Sequence, residues 1–169
     1  MRCLQLKRVL GGLVAGVLLL FASMRTESLR LIYNPSASAP VGWYFIRSAT
    51  ALRPHDIVLA SPPESAAALA DDRHYLLRGV PLLKEIGAVD RQFVCVRGGT
   101  VLIDGVPAAR TRQRDGAGRQ LVSWNECRVL ADGELFLLGH HSDASFDSRY
   151  FGPIRRDSVI GQAIPLWTW

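Results

Sequence analysis

The chain has 169 residues, 49% of them hydrophobic, which suits one domain plus an appendage and leaves enough material for a buried core. Its formal net charge is +5, carried by scattered arginines with no basic run and no aromatic interleaving, which argues against a nucleic-acid partner. Three cysteines occur with no Cys-x-x-Cys or Cys/His ligand spacing, so neither a metal nor another cofactor is expected.

In chain order, Arg2, Lys7 and Arg8 precede an apolar run over 9–24 that closes at Arg25-Thr26-Glu27. The run falls a little short of the roughly 20 residues that span a bilayer, but snorkelling basic side chains extend it. A cleavable signal peptide shares this layout. Ala22-Ser23 is a poor cleavage site, which favours a retained transmembrane anchor over 9–26. Positive charge ahead of the run keeps 1–8 in the cytoplasm and places 27–169 on the outer side. An oxidising compartment there makes a Cys95–Cys127 disulfide the expectation, with Cys3 reduced; the alternative is two buried free thiols.

Beyond residue 29 the pattern is mainly β. Short apolar or alternating runs lie at 43–46, 56–59, 93–96, 101–103 and 134–138. Turn chemistry separates them: Arg53-Pro54-His55, Arg97-Gly98-Gly99, Asp104-Gly105, Asp115-Gly116 and Asp132-Gly133. Asp104-Gly105 between apolar residues predicts a hairpin. One helix is expected after Pro62-Pro63, through 64–70, with Ser61 as its N-cap. The arginine-rich stretch 108–120 is expected to form an exposed loop or hairpin arm.

Three stations carry chemistry. In Asn34-Pro35-Ser36-Ala37-Ser38-Ala39-Pro40-Val41-Gly42, dense Pro and Gly fix a sharp turn that presents a hydroxyl and leaves amides free for an oxyanion; the plainer alternative is an Asx/Ser turn entering a strand. Lys84 lies in the apolar stretch Leu82-Leu83-Lys84-Glu85-Ile86-Gly87 and is the chain's one lysine besides Lys7. Burial there would lower its pKa, and a neutral amine can act as a general base. Glu85 would oppose that shift unless it faces the other side of the strand. The third station is Asp143-Ala144-Ser145-Phe146-Asp147-Ser148-Arg149-Tyr150-Phe151-Gly152-Pro153, a polar run directly after an apolar strand. His140 and His141 are adjacent, with no matching third ligand for a metal.

In this order the stations resemble the type I signal peptidase superfamily, membrane-anchored serine proteases with a Ser/Lys dyad. Asp147-Ser148-Arg149-Tyr150-Phe151-Gly152-Pro153 resembles the superfamily's most recognisable box, and Arg53-Pro54-His55-Asp56-Ile57-Val58 its Gly-Asp-x-Val segment. The finer match is to the conjugative-transfer (TraF) branch, through Ser36-x-Ser38-x-Pro40-x-Gly42-x-Tyr44, the Phe146–Pro153 box and the ending Pro165-Leu166-Trp167-Thr168-Trp169. Ala39-Pro40 after the serine, Glu85 after the lysine and Gly139-His140-His141-Ser142-Asp143 depart from general signal peptidases.

The resemblance implies a signal-peptidase-like β body with one N-terminal transmembrane helix. It implies Ser38 as nucleophile, Lys84 as general base, Ser36 with the Ser38 amide as oxyanion hole, and Ser145 as the residue that orients the lysine. Asp147 and Arg149 match a supporting pair, and in the TraF branch the aspartate bears on activity. The implied function is maturation of a membrane-associated pilin precursor, with cyclisation as one outcome, by an inner-membrane protein whose catalytic domain 27–169 is periplasmic. Its implied partners are that precursor, the lipid bilayer and other type IV secretion components. Two alternatives stand beside it: a general type I signal peptidase acting on signal-peptide-bearing secreted proteins, and an inactive scaffold of the transfer apparatus.

Overall fold

The computed structural model describes residues 30–169. The anchor expected over 9–26, the 1–8 segment and Cys3 lie outside the described residues, among which no helix is long and apolar enough to cross a membrane. The described chain is mainly β. Its elements are β1 (Arg30–Asn34), β2 (Gly42–Arg47), β3 (Ile57–Ala60), α1 (Glu64–Asp72), β4 (Leu82–Val89), β5 (Phe93–Arg97), β6 (Thr100–Ile103) and β7 (Val106–Arg110). Then come β8 (Cys127–Val129), β9 (Glu134–Leu138), α2 (Ser148–Phe151), β10 (Ile154–Arg155), a 3-10 turn (Arg156–Ser158) and β11 (Val159–Thr168).

The strands form two sheets. The larger has seven strands in the order β1-β2-β11-β3-β4-β9-β10, the smaller four in the order β7-β6-β5-β8. Strand β2 alternates as a half-buried strand should, with Tyr44 and Ile46 inward and Trp43 and Arg47 outward. Strand β11 enters between β2 and β3, pairing Gln162 with both Arg47 and Val58. It therefore joins the strand that follows the serine turn to the strand that pairs with β4. Strand β4 brings Lys84 opposite Val58.

Strand β9 is buried on both faces and packs the two sheets together. Leu135 and Leu137 join Val58 and Ile86 in one apolar cluster, while Phe136 and Leu138 join Val94, Val96 and Val101 in another. A bulge between Ile86 and Ala88 switches β4 from the first cluster to the second. Gly87 sits in that bulge because a Cβ there would lie 2.7 Å from Leu138 Cδ1.

The Asp104-Gly105 hairpin forms as expected, both residues having positive φ (50° and 81°) in the turn between β6 and β7. The expected helix also forms, but Ser61 is not its cap. Pro63 holds the N-cap position without a side-chain bond, its carbonyl accepting from Ala67 N (2.8 Å). Two prolines hold the chain extended up to the first turn, and Ser61 N donates instead to Ser158 O (2.9 Å). Residues 111–121 make a hairpin arm, bridged between Arg114 and Gln120. Its tip is not wholly solvated: the Asp115 side chain is 4% exposed, against Tyr75.

Candidate active site

The serine turn is built by its first residue. Asn34, at the end of β1 and buried, donates its side-chain amide to Ser36 O (2.8 Å), Ala39 O (3.2 Å) and Pro40 O (3.1 Å). Its Oδ1 accepts from Ser36 N (3.1 Å), so the Asx turn and the serine turn are one structure. Tyr44, fully buried on β2, donates its hydroxyl to Pro40 O (2.6 Å) and closes the far side. Gly42 has φ +146° and lies so near β11 that a Cβ would sit 2.1 Å from Trp167 O. Only glycine fits there.

This clamp sets Ser36 Oγ 3.0 Å from Ser38 Oγ, while Ser38 N donates to Ser36 Oγ over a longer 3.3 Å. Ser38 and Lys84 line one cleft of about 770 Å³ whose lining is mostly apolar. Lys84 is 5% exposed on β4 and donates from Nζ to Ser145 Oγ (2.7 Å). In this structure the Ser38 hydroxyl therefore pairs with Ser36 and the Lys84 amine with Ser145.

Burial drives the Lys84 pKa down from 10.5 to about 8. The negative charge of Asp147 opposes the drop and the Arg149 guanidinium reinforces it. Glu85 points the other way, as alternation on a strand requires: its Oε1 lies 2.7 Å from His55 Nδ1 and 3.8 Å from His140 Nε2.

The third station contains a short helix, α2, capped by Asp147, with Ser148 and Arg149 buried and Tyr150 and Phe151 partly so. Asp147 is 0% exposed and Arg149 2%, and they form a two-pronged pair: Nε to Oδ1 and Nη2 to Oδ2, both 2.8 Å. Asp147 also accepts from Gly139 N (2.8 Å) and Arg149 N (3.1 Å). Arg149 donates onward to Ser145 O (3.1 Å), Ser142 O (3.3 Å) and Arg110 O (2.7 Å). The pair thus fixes the backbone of Ser145, whose hydroxyl meets the lysine. Ser148 Oγ accepts from Leu137 N (2.9 Å), which ties α2 to β9.

Gly139, just past β9, shows how close the stations stand. A Cβ there would lie 2.1 Å from Ser145 Oγ and 3.1 Å from Ser38 O. One glycine separates the serine turn from the lysine's partner.

The structure brings Ser36, Ser38, Lys84, Ser145, Asp147 and Arg149 together around one cleft and its support. Cys95 and Cys127 are Cα partners across β5 and β8, with their sulfurs bonded. His140 is engaged at the edge with Glu85, and His141 is exposed. Sequence reasoning touched Asn34 only through the Asx/Ser-turn alternative and Tyr44 and Ser148 only as motif positions, and it gave no role to Gly139. Asn-Pro before two serines is an Asx-turn signal for Asn34, and Gly directly after an apolar strand is one for close approach at Gly139. Tyr44 and Ser148 had no separate signal.

The family profile for signal peptidase, peptidase S26, matches residues 5–168. The chain belongs to this signal peptidase family. It is similar to the conjugal transfer protein TraF of Agrobacterium tumefaciens (strain 15955), at 35% identity over 95% of this chain and 94% of the relative. It is also similar to a plasmid transfer protein TraF of Escherichia coli, at 29% identity over 97% of this chain and 98% of that one. Among solved structures, a signal peptidase I from Enterococcus faecalis V583 aligns with TM-score 0.41 and 19% identity, covering 68% of this chain and 98% of its own.

Proposed function

We propose that this S26 chain is a serine endopeptidase, anchored in the inner membrane with its body in the periplasm, that matures a pilin precursor for conjugative transfer. The observation that carries the proposal is Lys84. It is a buried amine with its pKa drawn down to about 8, held by Ser145 in the cleft that also presents Ser38. A surface lysine has neither property.

In the proposed reaction the neutral Lys84 Nζ takes the proton of Ser38 Oγ as that oxygen bonds to the scissile carbonyl carbon. Loss of the long Ser38 N to Ser36 Oγ contact frees both groups to donate to the developing oxyanion. Collapse of the tetrahedral intermediate expels the leaving amine, which takes its proton from the Lys84 ammonium. The acyl-enzyme is then resolved by water, or by the substrate's own N-terminal amine to give a cyclic product. Asp147 and Arg149 do not touch the reacting atoms; they hold Ser145, and Ser145 holds Lys84.

Relatives named for conjugal and plasmid transfer support the conjugative setting. Exposed Leu31, Trp43, Leu166, Trp167 and Trp169 support work at a bilayer surface, where indole rings favour the interface. The test is co-expression with a pilin precursor from the same transfer region, following the pilin's mass. Wild type should shorten the precursor, and Ser38→Ala and Lys84→Ala should each leave it intact. Processing by either variant refutes the dyad, and processing of many unrelated secreted precursors would instead favour a general signal peptidase.

A further inference from the structure

The cleft has a charged wall for which acylation has no use. The hairpin arm after β7 and the turn after α1 bring Arg73, Arg112 and Arg119 to its lining, against the single carboxylate of Asp115. Asp115 is already committed: Tyr75 Oη donates to it at 2.5 Å, Arg119 Nε at 2.7 Å, and Arg73 Nη1 lies 3.6 Å away. The Tyr75 hydroxyl and Arg119 hold its carboxyl well below the usual range, so it stays an anion throughout the working pH range. Even with Asp72 also acting on Arg73, three guanidiniums against two carboxylates leave this wall with a net positive charge. Among the described residues no carboxylate pairs with Arg112, whose side chain is exposed.

The position of Arg112 is fixed from the catalytic side. Its amide donates to Tyr150 Oη (2.9 Å), and the Tyr150 ring stacks on Phe146 at 5.8 Å between centroids. Phe146 lies between Ser145 and Asp147 in sequence and lines the same cleft. Two residues before Arg112, Arg110 O accepts from the buried Arg149 guanidinium (2.7 Å). The guanidinium that braces the lysine's partner therefore also roots the arm. A peptide in this cleft meets Ser38, Lys84 and an unneutralised cation on one shared lining.

We propose that Arg112, backed by Arg73 and Arg119, is a specificity-determining anion subsite that selects substrates with a carboxylate close to the scissile bond. The carboxylate is either an Asp/Glu side chain or the peptide's own C-terminus. The proposal rests on the cleft being the substrate site, as argued above.

Binding separates it from catalysis. Dansyl-labelled, C-terminally amidated ten-residue alanine-rich peptides with one glutamate walked through every position would be titrated into full-length Ser38→Ala protein. Glutamine counterparts, and the glutamine peptides with a free C-terminal carboxylate, run alongside. At one or two adjacent positions glutamate should bind about fivefold tighter than glutamine, an advantage that fades with salt, as expected for an accessible charge pair. If the terminal carboxylate is the ligand, the free-acid peptides show the advantage instead. Adding Arg112→Gln should bring the ratio to near one, Arg112→Lys should retain part of it, and Arg112→Glu should turn it towards a lysine-bearing peptide. Equal affinities for all peptides, a glutamate advantage untouched by Arg112→Gln, or no binding at all would overturn the subsite. Processing by Ser38→Ala protein would overturn the peptidase mechanism and leave the binding result standing.

Discussion

The titration of Lys84 offers the sharpest quantitative test of the site. Its pKa falls from 10.5 to about 8 because burial removes water from the ammonium. That corresponds to roughly 3 kcal/mol of lost stabilisation of the charged form. The sign follows directly. The base must be neutral to accept the Ser38 proton, so activity is low below the folded pKa and rises as pH climbs through it. At pH 7 about one molecule in ten has a neutral Lys84, and at pH 6 about one in a hundred. A plot of log kcat/KM for an internally quenched peptide should therefore climb with unit slope from pH 6 and level off just above 8. Asp147→Asn sharpens the test, since the Asp147 charge is what holds the lysine pKa up. Its removal should move the midpoint to lower pH even as the plateau falls. A flat profile between pH 6 and 9, a midpoint near 10.5, or an alkaline shift in Asp147→Asn would refute a desolvated lysine base.

Four further outcomes follow from the same contacts. Ser145→Ala removes the acceptor of the Lys84 amine and should lower kcat by about ten- to a hundredfold with little change in KM, measured on the same peptide. Gly139→Ala forces a methyl to 2.1 Å from Ser145 Oγ and should abolish processing while costing about 1–3 kcal/mol in urea unfolding. Arg149→Met leaves Asp147 buried and unpaired, which should cost about 3–5 kcal/mol; combining it with Asp147→Asn should restore part of that loss. Reduction of Cys95–Cys127, or Cys127→Ser, opens a loop spanning 32 residues and should cost about 3–4 kcal/mol of stability, read by denaturation with and without reductant.

The site was legible in sequence where its chemistry is local. Ser36 and Ser38 announce themselves through the prolines and glycine around them and Lys84 by its solitude in an apolar strand, whereas Asp147 and Arg149 were legible only through the resemblance of their box. The opposed directions of Lys84 and Glu85 follow from strand periodicity alone. Long-range placement was not legible. Of the last strand only Pro165–Trp169 drew notice, as an ending, yet Val159–Thr168 forms a strand inside the large sheet, because pairings such as Gln162 with Arg47 leave no local periodic mark. Arg112 looked like solvated charge until Tyr150 and Arg149 were seen to hold the arm against the cleft. Ser61 misled because prolines can set a helix start with no hydroxyl to cap it.

The insertion of β11 between β2 and β3 also has a meaning in time. The Ser38 turn precedes β2, and Lys84 sits on β4, the neighbour of β3, so these two halves lie side by side only once β11 is in place. During synthesis Ser38 and Lys84 leave the ribosome on the order of ten seconds before residues 159–168, at ordinary elongation rates. For that interval the nascent chain carries both reactive groups without the strand that aligns them.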